Sequence, residues 1–197
     1  HLRGWDTKFA LESTQTTLAI FWGEALMAQA RPLASAAGID IYDYLATEIS
    51  DAQRLAALES AMNTLTVGFG SWQVAWGEVN RYQRNDGAIV QQFDDSKPSL
   101  PVAFASARWG SLASFGSRSY PGTNRLYGTS GNSFVAVVEF GERVRAKAVT
   151  VGGLSSDPSS VHFDDQAELY TQGRFRDVYY YPEEVDANLS AAYHPGE

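Results

Sequence analysis

Residues 133–140, SFVAVVEF, constrain this chain most, because β-branched or aromatic side chains stand at five of the eight positions with no strict alternation. A strand of that composition is predicted to lie inside a sheet with both faces covered, since either bare face would put valine or phenylalanine in water. Gly141-Glu142 then reads as a hairpin turn and residues 143–151, RVRAKAVTV, as the return strand. There Val144, Ala146 and Ala148 alternate with Arg143, Arg145 and Lys147. One face is predicted to be buried, and the other to present cations to solvent or to an acidic neighbour. The expectation is a central first strand and a half-exposed second one.

Upstream, Leu11, Leu18, Trp22, Ala25 and Leu26 recur at helical intervals, predicting a helix over 11–31 that Pro32 stops. Residues 38–49, GIDIYDYLATEI, fit either a short strand or a loop with a helical turn. Ser50 and Gln53 have capping-box spacing. The helix they open carries Leu55, Leu58, Met62 and Leu65 on one face and ends at Gly68 and Gly70. Residues 1–70 thus read as a helical segment, and from Ser71 the composition shifts to aromatics, Gly, Ser and Pro over short β-like runs. No repeat or linker separates 1–70 from the β-rich 71–197, so they are not two independent domains.

Within the second segment, residues 85–87 are a turn signal, 97–101 an extended loop, and 109–127 irregular strands or a long ordered loop. Past the return strand, Asp164 or Asp165 is predicted to cap a helix running through Ala167, Leu169 and Tyr170 to Gly173. Residues 178–181 read as a short strand, Pro182 opens a last helix, and the tail 191–197 is expected to fray. The class is α+β.

Several side chains invite chemistry. Ser130, in Gly128-Thr129-Ser130-Gly131, has some look of a nucleophile elbow, but Asn132 replaces the second glycine and a strand follows instead of a helix. His162 with Asp157, Asp164, Asp165 and Glu168 could be drawn as a metal site, or with Ser155 or Ser160 as a serine-histidine set. The spacing gives one histidine and some carboxylates, and the favoured reading keeps His162 within its turn while the aspartates cap the helix. Trp5, Trp22, Trp72, Trp76 and Trp109 could line a sugar- or aryl-binding surface, but their apolar settings favour core packing. His1 and His194 are expected to be solvated.

Composition excludes several classes. The 23 acidic against 15 basic residues leave a net charge of −8, unsuited to a phosphate-binding surface, so nucleic acid is not an expected partner. With no cysteine there can be no disulfide, catalytic thiol or zinc-thiolate site. HLRGWD is not a signal segment, and the longest apolar run, TTLAIFWGEALMA, is interrupted by Glu24, so no membrane partner is expected either. At 197 residues and 44% hydrophobic content, one substantial core is within reach.

Six motifs occur in an order that covers nearly the whole chain: WDTKFALES (5–13), FWGEAL (21–26), WGEVNR (76–81), GTSGNSFVAVVEFG (128–141), GLSSDPSSVHFDDQ (153–166) and YYYPEEV (179–185). Together they resemble the penicillin acylases, amidases of the N-terminal nucleophile hydrolase superfamily. That family's turn reads nearer GQSGDPxSPHxxDQ, so Leu154, Ser156 and Val161 depart from it, in a turn rather than in chemistry. The resemblance implies a four-layer αββα sandwich and a precursor that cuts itself into two chains. It also implies amide hydrolysis by the N-terminal serine of the large chain, with its own α-amino group as base and an asparagine among the oxyanion donors.

Residue 1 here is His1, and the motifs resemble only the last part of the large chain. No catalytic, cofactor-binding or metal-binding residue is therefore carried over, and no cofactor is expected. The implied partners are the rest of the acylase, its upstream large-chain segment and small chain, and an acyl amide such as a β-lactam side chain or an acyl-homoserine lactone. The implied location is periplasmic or secreted. A different reading makes the chain a free-standing, aromatic-rich module binding a ligand or carbohydrate, and a third makes it a serine hydrolase using Ser130 or Ser155 with His162.

Overall fold

A computed structural model describes residues 1–192 and His194 and divides the chain into two units, His1–Asn132 and Ser133–Glu197. The class is α+β, with helices first and mixed sheets after them. In the first unit, helix α1 (Thr14–Ala37) starts at Ser13, whose hydroxyl accepts the Thr16 amide at 3.0 Å. It ends at Gly38, which takes the left-handed conformation that closes helices. The predicted stop at Pro32 is corrected, since the helix runs through it. Pro32 and Ala28 are both exposed, so the Ala28 carbonyl that loses its N–H partner can be hydrated.

The ambiguous stretch after α1 is helix α2 (Ile41–Thr47), capped by Asp40, which accepts the Tyr42 amide at 2.8 Å. Helix α3 (Asp51–Phe69) opens with the full capping box: Gln53 Oε1 accepts the Ser50 amide at 2.9 Å and Ser50 Oγ accepts the Gln53 amide at 3.3 Å. Gly68 stays helical and Gly70 alone ends it. The buried stripe is centred on Ala57, Ala61 and Leu65, with Leu58 and Met62 half-buried at its flank. Leu55, expected on that face, is 65% exposed. Small alanines let α3 lie close to α1, which sets the stripe's centre and leaves Leu55 on its outer edge.

Helix α4 (Trp76–Val79) runs directly into strand β1 (Asn80–Tyr82), followed by β2 (Leu100–Pro101), β3 (Phe115–Ser119) and β4 (Leu126–Gly131). Their order is β2-β1-β4-β3, with β1 parallel to β4 and the other pairs antiparallel. Residues 109–127, open between irregular strands and an ordered loop, thus contain β3 and the start of β4. The compositional shift at Ser71 lies inside this unit. Two buried clusters, Ile20–Trp76–Val79–Ala105 and Leu18–Ala61–Leu65, are joined by the half-buried Phe21, Phe69 and Val74, which touch both.

The second unit holds strands β5 (Phe134–Glu139), β6 (Arg145–Thr150) and β7 (Arg176–Val178), in the antiparallel order β5-β6-β7. The hairpin joining β5 to β6 is present, but the burial of the two strands is the reverse of the expectation. The central strand is β6, where Ala148 and Val149 are buried, while β5 lies on the edge and is exposed on both faces. Phe134, Val137 and Phe140 are 58%, 59% and 84% exposed. Helix α5 (Ala167–Thr171) packs on β6 and leaves β5 uncovered, although its composition is that of an interior strand.

Neither aspartate caps α5. Its N-cap is Gln166, and Asp165 is engaged by His162 instead. The strand expected over 178–181 begins and ends earlier, as β7. Helix α6 (Pro182–Ala187) opens at the predicted proline. The expectation of a fraying tail falls partly on residues 193 and 195–197, which lie outside the described residues.

Candidate functional site

The 153–166 motif folds into a loop closed on itself. The Ser155 amide donates to the His162 carbonyl at 3.0 Å, and a side chain on Gly153 would collide with that same carbonyl, so the glycine is required by close approach. His162 Nδ1 meets Asp165 Oδ2 at 2.8 Å on the surface, and the His162 amide donates to Ser160 Oγ at 3.2 Å. Asp157 accepts both the amide and the hydroxyl of Ser159, at 2.9 and 2.8 Å, and these bonds hold its carboxyl below the usual aspartate range. Hydroxyls and carboxylates here are spent on turns. Among the described residues no three His, Cys, Asp or Glu side chains gather as metal ligands would.

The organising residue of this region is Gln166. Its carboxamide oxygen accepts the Thr150 amide at 3.0 Å and Arg176 Nε at 3.3 Å, and its backbone N–H donates to the Gly152 carbonyl at 2.7 Å. One buried side chain thereby ties β6, β7 and the start of α5 together. The YYYPEEV motif acts on the same sheet from its other end. Arg143 pairs with Glu183 and Glu184 and lies 3.9 Å over the Tyr181 ring, while the Val144 amide donates to the Tyr181 hydroxyl at 2.9 Å. Lys147 pairs with Asp177 at 3.0 Å. Arg143 and Lys147 of the cationic row therefore meet acids of their own chain.

Ser130 stands within β4, opposite Gly116 of β3, and not at a turn. It belongs to the first unit and Ser155, Ser160 and His162 to the second. Within the first unit, His1 is not simply solvated, since its Nε2 lies 3.0 Å from Thr14 Oγ1 and its ring meets Trp72 edge-on at 5.2 Å. Trp76 is buried, and Trp22, Trp72 and Trp109 pack against the same clusters.

WGEVNR supplies the polar centre of the first unit. Asn80 is fully buried and fully used: its amide donates to the Val102 and Phe104 carbonyls, both at 2.8 Å, and its oxygen accepts the Ser117 hydroxyl. Arg81 donates to the Gly77 carbonyl and to Ser99, and burial followed by nearby Arg125 lowers its pKa. Tyr127, also buried, donates to Asp95 at 2.8 Å and stacks on Phe93; burial, and then the bond to Asp95, raises its phenol.

Beside this centre lies a groove of about 520 Å³, walled by Ile20, Phe21, Trp76, Trp109 and Leu126. Glu24 crosses one wall, accepting Arg108 at 3.3 Å and Trp109 Nε1 at 3.2 Å. Trp109 is fixed there because it fills the space above Gly23, where a Cβ would strike the indole ring. Residues of β3 and β4, Ser130 and Ser119 among them, complete the lining. Sequence reasoning missed Glu24, Arg108 and Trp109 as a group. One signal was present, the single acidic residue within an otherwise apolar stretch of α1.

A family model described as penicillin amidase matches residues 1–187.

Proposed function

The chain belongs to the penicillin amidase family, and from that premise we propose that it is the C-terminal structural portion of the large chain of an acyl-amide hydrolase. In this reading the nucleophilic serine, its α-amino base and the oxyanion donors are supplied by upstream parts of the same enzyme. The substrate is an acyl amide such as a β-lactam side chain or an acyl-homoserine lactone, and the setting is the periplasm or the exterior. The observation that carries the reading is β5. A strand apolar on both faces is the composition of a layered interior, yet here both faces are in water. A free-standing ligand-binding module would be expected to cover such a strand from within.

The test is hydrolysis of a panel of acyl anilides and acyl-homoserine lactones. The 197-residue chain is assayed alone, then after co-expression with the upstream large-chain segment and small chain of its own precursor. Turnover only in the second case is expected. Turnover by the chain alone would overturn the proposal and return attention to Ser130, Ser155 and His162.

A further inference from the structure

Independently of that reading, we infer that the outer edge of β5 is a self-pairing surface, on which a second copy of this chain adds its own β5, antiparallel and centred on Ala136. Four strands end the two sheets, and three of them are guarded against such pairing. Strand β2 is two residues long and contains Pro101, β3 is bulged between Gly116 and Ser117 and carries Arg118, and β7 is three residues long with Arg176 and Asp177. Strand β5 has six residues, no proline, no bulge and one charge, Glu139, at its last position.

One hydrogen bond fixes which backbone groups of β5 are free. The Val151 amide donates to the Ser133 carbonyl at 2.9 Å, so these two residues are a bonded pair of the β5–β6 ladder. Bonded pairs recur at every second residue, so Val135, Val137 and Glu139 also turn their backbone groups to β6. The Thr150 amide agrees, since it points away from β5, to Gln166. The N–H and C=O groups of Phe134, Ala136 and Val138 are therefore directed outward.

A second β5 meets all of them in one register. With Ala136 opposite Ala136 of the second copy, Phe134 falls opposite Val138 and Val138 opposite Phe134. Any other register sets at least one of the three opposite a residue that does not face outward from the strand. Side-chain chemistry selects the same register. Phe134, Ala136 and Val138 share a face with Ala146, Ala148 and Val178, and Phe134 and Val138 are 58% and 44% exposed. Pairing continues that apolar face from one copy into the next, with alanines at the two-fold axis and phenylalanine beside valine on either side of it. Glu139 falls opposite Ser133 of the second copy, roughly 20 Å from the second copy's own Glu139, so the carboxylates do not oppose each other.

The test uses the full 197-residue chain, which has no cysteine. Sedimentation is expected to show a dimer. Oxidation of Ala136→Cys is expected to link it, because residues opposite each other in a bonded pair stand about 5.5 Å apart, within disulfide reach. Phe134→Cys and Val138→Cys, each about 14 Å from its counterpart in this register, are expected to stay unlinked. Ala136→Pro removes an N–H that the β5–β6 ladder does not use, and is expected to give a monomer with unchanged circular dichroism. The amides of residues 134, 136 and 138 exchange freely in the dilute monomer and should gain protection as concentration rises. The inference is overturned if the unaltered chain stays monomeric at its highest soluble concentration. It is equally overturned if the three cysteines link alike, as sheets packed face to face would allow, or if a folded Ala136→Pro still dimerises. Should that variant fail to fold, the cysteine pattern decides.

Discussion

The hydroxyl of Ser117 donates to the carboxamide oxygen of Asn80 at 2.6 Å, although β4 lies between their two strands in the sheet. With both Asn80 N–H groups on the 102–104 backbone, the side chain links that segment to β3 across the intervening β4.

Replacing Asn80 by alanine removes a hydrogen-bond partner from the buried Val102 carbonyl, the part-buried Phe104 carbonyl and the Ser117 hydroxyl at once. A loss of about 2–4 kcal/mol is expected, since each unsatisfied buried group costs roughly 1–3 kcal/mol. Asn80→Asp should also destabilise, because it puts an acceptor against the Val102 and Phe104 carbonyls. Urea unfolding followed by tryptophan fluorescence measures both, and a midpoint unchanged from the parent chain would refute the assignment.

Gly153→Ala is expected to destabilise the second unit by roughly 1–3 kcal/mol, the cost of forcing an atom into packed surroundings. Here the obstacle is the backbone, at the carbonyls of His162 and Phe163, which cannot turn aside as a side chain would. Gly141→Ala, where the nearest atom is 3.8 Å away, is the control. Thermal midpoints of the two variants should differ clearly.

Arg143 ties the hairpin to α6, and the tie has a predictable acid limit. The carboxyls of Glu183 and Glu184 sit below the ordinary glutamate value; for Glu183 a backbone bond and then Arg143 lower it, for Glu184 the Tyr180 amide leads. A carboxyl lowered in the folded state stabilises above its ordinary value near 4.5 and loses that contribution as pH falls through the lowered one. The tyrosine near-ultraviolet dichroism of 179–181 should therefore persist at pH 6 and fade below pH 4. Arg143→Ala should weaken it already at pH 6.

On the proposed function, His162→Ala and Ser130→Ala should leave amide hydrolysis by the complemented enzyme unchanged. Stability should fall by no more than about 1 kcal/mol for His162, whose partner Asp165 is a surface contact. A large drop in kcat with normal folding would place chemistry in these residues.

The exposed β5 should make the chain alone self-associate. Val137→Lys and Phe140→Ser, each on a residue more than half exposed, should shift sedimentation towards monomer without lowering the thermal midpoint. Monomeric behaviour of the unaltered chain would count against the reading of β5 as an interior strand left bare.

Local signals were legible where one segment decides the outcome alone. The Ser50–Gln53 capping box, Pro182 opening α6 and the β5–β6 hairpin could all be read from adjacent residues. Burial could not, because it depends on what else is present: SFVAVVEF reads as interior, but only its neighbours determine whether it is covered. Pro32 misled for a related reason, since exposure of the carbonyl it orphans makes the proline tolerable. The aspartates before α5 were good caps by type, and His162 took one of them. The Glu24–Arg108 and Arg143–Glu183 pairs join residues too distant in sequence for any pattern to predict.

Gln166 binds the Thr150 amide, the Gly152 carbonyl and Arg176 through one side chain and its own backbone. Strands β6 and β7 and helix α5 should therefore not open separately. Their amide protons are expected to exchange with solvent at one common free energy, as a single cooperative block, while those along the outer edge of β5 exchange freely. Gln166→Ala should break that block into independently fraying pieces before it measurably changes the average structure.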